Sequence, residues 1–163
     1  MSKLISTVCA LSISILILGC SEPDDRMANN PPVLYVEDVD AEMNAAISNA
    51  KKTLPFFEKN WQTMESDGVS VKFAMPTSDG ELEHIWFTPT SFNGNDVTGR
   101  CANDPVKVPS LKLGDIRTVS RDDVSDWMII VGNRCFGGYT IRVLSQREPG
   151  AAPPLEFVDP TQD

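Results

Sequence analysis

The chain has 163 residues, with 14 basic and 23 acidic side chains, a formal net charge of −9, one histidine and four cysteines. A chain this acidic has no basic stripe to displace the counterions of a phosphate backbone, so nucleic-acid binding is excluded as a function class. The length suits one domain of ordinary size with a real core, and the ligand supply is too thin for a zinc centre of the usual kind. No metal or cofactor is expected.

The first residues, MSKLISTVCALSISILILGC, place one basic residue, Lys3, before an apolar run from Leu4 to Leu18 and then Gly19 and Cys20. That is the order of a secretory signal, and the run falls short of the ~20 residues a helix needs to span a bilayer. Residues 1–19 are read as a leader. The ending Ile17-Leu18-Gly19-Cys20 resembles the lipobox of bacterial lipoproteins, which implies that Cys20 is acylated and anchors the protein by lipid on the periplasmic face of the cell envelope. Ser21, rather than Asp, after that cysteine favours the outer membrane over the inner by the same resemblance. Two or three acyl chains suffice for stable anchoring, where one is marginal. Residues 20–32 are polar and end in prolines, a flexible tether.

A single α+β domain is expected over 33–147, with a loose tail at 148–163. Between Asp40 and Gln62 the apolar residues Met43, Ile47, Ala50, Leu54, Phe57 and Trp61 recur at spacings of three and four, which predicts an amphipathic helix with Asp40 as its cap. Pro55 falls inside this stripe and predicts a kink or a division into two helices. After Asp67-Gly68 the period changes to two, with Val69, Val71, Phe73 and Met75 on one side of a strand. The stretch ELEHIWF follows the turn at residues 76–80. Its alternation puts Leu82, His84 and Trp86 on one face and Glu83, Ile85 and Phe87 on the other, which predicts a central strand covered on both sides. Further strands are expected at Val97–Ala102, Ile116–Ser120, Trp127–Val131 and Arg134–Phe136, the last two joined by Gly132-Asn133. The helix should pack on a mainly antiparallel sheet of five or six strands. Residues 139–146 read equally as strand or helix.

Cys101 and Cys135 remain once Cys9 leaves with the leader and Cys20 is lipidated, and an even pair in an oxidising compartment predicts one disulfide. The lone histidine has Glu83 beside it, but strand neighbours point apart, so Glu83-His84 is not a ready-made catalytic dyad. No Gly-x-Ser-x-Gly elbow or Gly-rich phosphate loop is present. The Asp122-Asp123-Val124-Ser125-Asp126 run reads as a solvated turn before Trp127.

Taken in order, VKFAMP, EHIWF, NDVTGRCANDP, VSDWMII and GGYTIRVL after an Ala-rich amphipathic helix resemble the YegJ-like domain of unknown function of bacterial proteins. The resemblance spans Asp40 to Leu144 and implies no activity, because the family has none assigned. Its marks supply the candidate functional surface: His84, Trp86, Asp126, Trp127, Tyr139 and Arg142. The bland reading is that Asp126 and Thr140 satisfy backbone groups around Gly137-Gly138, while Trp86 and Trp127 fill the core.

The expectation for function is a lipid-anchored envelope protein whose small domain binds a protein or envelope component without catalysis. One alternative is a periplasmic immunity protein that occludes a secreted toxin. Another is a small hydrolase in which His84 works with a carboxylate, Asp126 first, and Tyr139 and Arg142 clamp the substrate.

Overall fold

The computed structural model describes residues 40–150 and 154–160 of the chain. The leader, the Cys20 anchor and the tether read from the sequence lie outside those residues, as do residues 33–39. Helix α1 (Ala41–Asn60) begins where Asp40 accepts a bond from the Met43 amide at 3.1 Å, and Glu42 lies in its first turn, where the helix dipole favours an anion. Its buried stripe is Met43, Ala46, Ala50, Leu54 and Phe57. Pro55 removes an amide donor, yet the helix runs through it as one element. The division into two helices does not occur, because residues on both sides of Pro55 are held by the same packed face.

Seven strands follow: β1 (Gly68–Pro76), β2 (Leu82–Asn93), β3 (Asp96–Cys101), β4 (Ile116–Ser120), β5 (Val124–Val131), β6 (Arg134–Gly137) and β7 (Glu156–Val158), with α2 (Tyr139–Arg147) between the last two. They form one sheet in the order β4-β3-β2-β1-β5-β6-β7, antiparallel except for the parallel β6/β7 pair. The architecture is α+β, with one more strand than the upper count expected. The extra one comes from the stretch expected to be a loose tail: Glu156 to Val158 pair with Arg134 to Phe136 on β6. Residues 139–147 are a helix, which resolves the ambiguity left by their pattern.

The core lies between α1 and one face of the sheet. Trp127 is fully buried there, 5.4 Å from the Phe57 ring and 6.0 Å from Phe56, and its indole N–H donates to the Ala50 carbonyl at 3.0 Å. That bond ties the middle of α1 to the middle of β5. The opposite face of β2 is not covered as expected. Glu83, Ile85 and Phe87 are buried, whereas Leu82 is 56 % exposed, His84 is exposed and Trp86 is half-buried. Glu83 is buried because its carboxylate holds a loop, accepting from the amides of Val106 and Lys107 at 2.7 and 2.8 Å.

The expected disulfide is absent: Cys101 and Cys135 are free, buried thiols. The strand order explains this. Cys101 ends β3 and Cys135 lies on β6, with β2, β1 and β5 between. Four strand spacings of ~4.8 Å put them on the order of 19 Å apart, far beyond the ~7 Å limit for bridged Cα atoms. Burial raises both thiol pKa values, that of Cys135 to about 11, so neither is a ready nucleophile.

At the open end of α1, Arg147 of α2 pairs with both Asp40 and Glu42. The hydrogen bond from Arg147, then that from the Met43 amide, holds the Asp40 carboxyl well below its ordinary value of 3.8. A carboxyl depressed in the folded state contributes stability above its unfolded pKa and loses it as pH falls towards the folded one. Asp40→Asn keeps a good cap but removes this charge. The variant should therefore lose less stability than the wild-type chain between pH 4 and pH 2 in urea melts; parallel acid limbs would refute the linkage.

Candidate functional site

The strand β5 carries an extra residue against β1. Lys72 pairs with Asp126 but Phe73 pairs with Val124, so Ser125 is bulged out. A bulge puts two consecutive side chains on one side of a strand. Val124 and Trp127 thus both turn towards α1, and Ser125 and Asp126 both turn towards the other face. Lys72 is flanked in register by Asp126 on β5 and Trp86 on β2, while Ala74 pairs with His84. A patch of Ser125, Asp126, Lys72, Trp86 and His84 results on the sheet face away from α1.

Asp126 is fully buried and its carboxylate is saturated. Oδ1 accepts from the amides of Trp127 (2.8 Å) and Tyr139 (3.1 Å), and Oδ2 from the Thr140 amide (2.9 Å) and hydroxyl (2.5 Å). Two of those donors are first-turn amides of α2, which enters from Gly138 without a side-chain cap. Asp126 fills that role from another strand, and its charge also suits the positive end of the helix dipole.

Lys72, also buried, donates from Nζ to the Thr140 hydroxyl at 2.6 Å and lies 4.5 Å above the centre of the Trp86 ring. Thr140 is the hinge of this arrangement, receiving from the cation and giving to the anion. Burial pushes the Lys72 pKa down, and the Asp126 charge pulls it back up. Burial likewise pushes Asp126 up, opposed first by Lys72 and then by its bonds to Thr140 and Trp127. The two charges steady one another in a site with little water.

His84 hydrogen-bonds through Nδ1 to the Ser125 hydroxyl at 2.8 Å, and that hydroxyl lies 3.4 Å from the Lys72 carbonyl. The Ser125 hydroxyl donates either to Nδ1 or to the Lys72 carbonyl, according to the tautomer of the imidazole. The serine is only 1 % exposed. A histidine–serine pair exists, but no substrate carbonyl can reach the hydroxyl. Among the described residues Asp126 is not the partner of His84; its lone pairs are taken by the start of α2.

The six sequence-selected residues therefore separate. His84, Trp86 and Asp126 come together, joined by Lys72, Ser125 and Thr140. Trp127 and Tyr139 belong to the core on the α1 side, their rings 6.2 Å apart in a T arrangement. Arg142 lies with Asp159 and Phe157, in a separate cluster. Lys72 and Ser125 were invisible as site residues: Lys72 occupies the polar slot of an alternating strand, normally solvent-facing, and Ser125 turns inward only because of the bulge. Among the described residues no group of His, Cys, Asp and Glu is arranged to hold a metal ion, and no helix is long and apolar enough to cross a membrane.

The segment that builds this fold and patch, residues 40–150, matches the family described as "Uncharacterized protein conserved in bacteria (DUF2314)". The chain belongs to that family. It is 30 % identical over 152 residues to a putative ankyrin repeat protein of Neisseria meningitidis serogroup B, covering 83 % of this chain and 60 % of that protein. It is 33 % identical over 99 residues to the uncharacterized protein YegJ of Escherichia coli, covering 61 % of this chain and 64 % of YegJ. The chain thus spans less than two thirds of either relative's length. No solved structure matches it.

Proposed function

We propose that this DUF2314 protein is a lipid-anchored component of the bacterial envelope whose domain binds a partner through the face of β1 and β2 turned away from α1, without catalysing a reaction. The observation that carries the reading is the contrast across the patch. Its charged members, Lys72 and Asp126, are buried and spent on one another and on α2, while Leu82, His84 and Trp86 present an apolar and aromatic surface. Such a surface, with satisfied polar groups behind it, is a recognition platform; aromatic side chains contribute disproportionately to protein interfaces. The leader and Cys20 supply the anchor, and the outer membrane is the proposed location. A relative named for ankyrin repeats is compatible with a binding role, since repeat proteins of that kind present extended binding surfaces.

The test places a photo-crosslinking amino acid at Leu82 or, as control, at Lys59 on the exposed side of α1, in cells expressing the full chain. A discrete adduct should form from position 82 and not from position 59. It should disappear with Trp86→Ala while the protein stays folded, and Cys20→Ser should release the protein from the membrane fraction. No adduct from Leu82, or the same adducts from both positions, sinks the binding-face reading; retention of Cys20→Ser after a carbonate wash sinks the anchor.

A further inference from the structure

A concave site lies between the two helices and the segment after β7. Its cavity of about 240 Å³ is lined by Asn49, Lys52 and Thr53 of α1, Tyr139 and Arg142 of α2, and Asp159 and Pro160. Two cations thus face one carboxylate, in a chain whose net charge is −9. Lys52 is exposed, and among the described residues no carboxylate pairs with it. The surroundings of Arg142 fix its guanidinium in place, with its carbon 5.7 Å from the centre of the Tyr139 ring and 5.3 Å from that of Phe157.

The hydrogen bonding of that guanidinium is incomplete in a specific way. Nη2 donates to Asp159 Oδ1 at 2.8 Å, but Nε, the other donor on the same edge, is buried with no hydrogen-bond partner. That edge is a two-pronged fork matched to both oxygens of a carboxylate, and Asp159 uses one prong. Buried donors are rarely left unpaired without reason. Asp159 itself is exposed and directly follows a three-residue edge strand.

We propose that this cavity binds a small monocarboxylate, taken by the Nε/Nη2 edge of Arg142 and the Lys52 ammonium, with Asp159 as a tethered competitor that occupies half of the site when it is empty. The pocket of about 240 Å³ is open to solvent on one side and has room for a short-chain acid. The Asn49 side chain offers a hydrogen bond to a hydroxyl or carbonyl beside the carboxylate, whereas the Thr53 hydroxyl already donates to the Asn49 backbone carbonyl at 2.8 Å. Phosphate also suits an arginine fork, but the group already in the position is a flat carboxylate.

The experiment titrates lactate, and separately inorganic phosphate, into the full chain held in detergent micelles, following the Arg142 Nε–Hε resonance by NMR. Lactate should move that resonance saturably. Asp159→Asn should tighten the midpoint about tenfold, because the tethered rival has an effective concentration on the order of millimolar. Arg142→Lys keeps the charge but loses the fork and should weaken binding at least tenfold, read by calorimetry. Lys52→Gln, at an exposed position that leaves the fold intact, should weaken it several-fold. The inference is overturned if Asp159→Asn shows no saturable shift up to 50 mM lactate, if phosphate binds as tightly, or if either Asp159→Asn or Lys52→Gln leaves the midpoint unchanged.

Discussion

Asp126→Ala should cost about 3–5 kcal/mol of folding stability, the range expected when one partner of a buried charge pair is removed and the other is left behind. In a domain of this size that lowers Tm by on the order of 15 °C. Four hydrogen bonds go at once, including those to the Tyr139 and Thr140 amides that position the start of α2. Lys72 keeps its ring contact with Trp86 and its bond to Thr140, but Thr140 loses the anion behind it. Much of the penalty is therefore the stranded ammonium. Adding Lys72→Met removes that charge while filling similar volume, so the double variant should be more stable than Asp126→Ala alone by at least about 1 kcal/mol. Urea melts of the four proteins in the cycle decide it. Strict additivity would show that the two groups do not communicate, and a loss below about 1 kcal/mol for Asp126→Ala would show that the carboxylate is not the buried cap of α2.

The same cycle separates a structural from a functional role for the pair. A strongly destabilised Asp126→Ala that still forms the Leu82 crosslink at low temperature places the residue in the framework. A stable variant that no longer crosslinks places it at the binding surface. The geometry favours the first outcome, because none of the carboxylate's bonds points to solvent.

What the sequence made legible follows from which interactions are local. The helix over 41–60 is written in a stripe of three- and four-residue spacings with an Asp cap, and six of the strands are written in alternation and turn residues. The seventh strand was not legible. Glu156 to Val158 are too few to show a period, and they pair in parallel with β6 only after α2 has turned the chain around. The disulfide failed for a related reason: two cysteines on strands say nothing about strand order, and β2, β1 and β5 lie between the strands that carry them. At the site, the expectation that Asp126 satisfies backbone groups around the Gly137-Gly138 turn is met by its bonds to the Trp127, Tyr139 and Thr140 amides, whereas the Thr140 hydroxyl bonds two side chains, Lys72 and Asp126, instead of backbone. Lys72 and Ser125 were missed because one bulge on β5, which shifts the alternation by a residue, decides their side.

Gly137→Ala should be the most damaging single methyl group that can be added to the described glycines, at about 2–4 kcal/mol. Two costs combine. Gly137 has φ +77°, a conformation that a side chain strains to adopt. Its added Cβ would lie 2.4 Å from the Trp127 carbonyl oxygen and 2.7 Å from a carbon of the indole ring, so a buried ring or the strand carrying it must move. The oxygen is already the acceptor for the Gly138 amide at 2.8 Å, the bond that starts the turn into α2. Moving it loosens the connection that delivers Tyr139 and Thr140 to Asp126, so the damage spreads from the core to the patch. Gly132→Ala is the matched control: φ is +59°, but nothing lies within 4 Å of the added Cβ, so only the conformational strain of about 1 kcal/mol remains. Denaturant melts of the two variants should differ by at least about 1 kcal/mol, and Gly137→Ala should also alter the tryptophan fluorescence of the folded state as Trp127 shifts. If the two variants lose the same stability and keep the same emission, the close approach of Gly137 to Trp127 is not what this position requires.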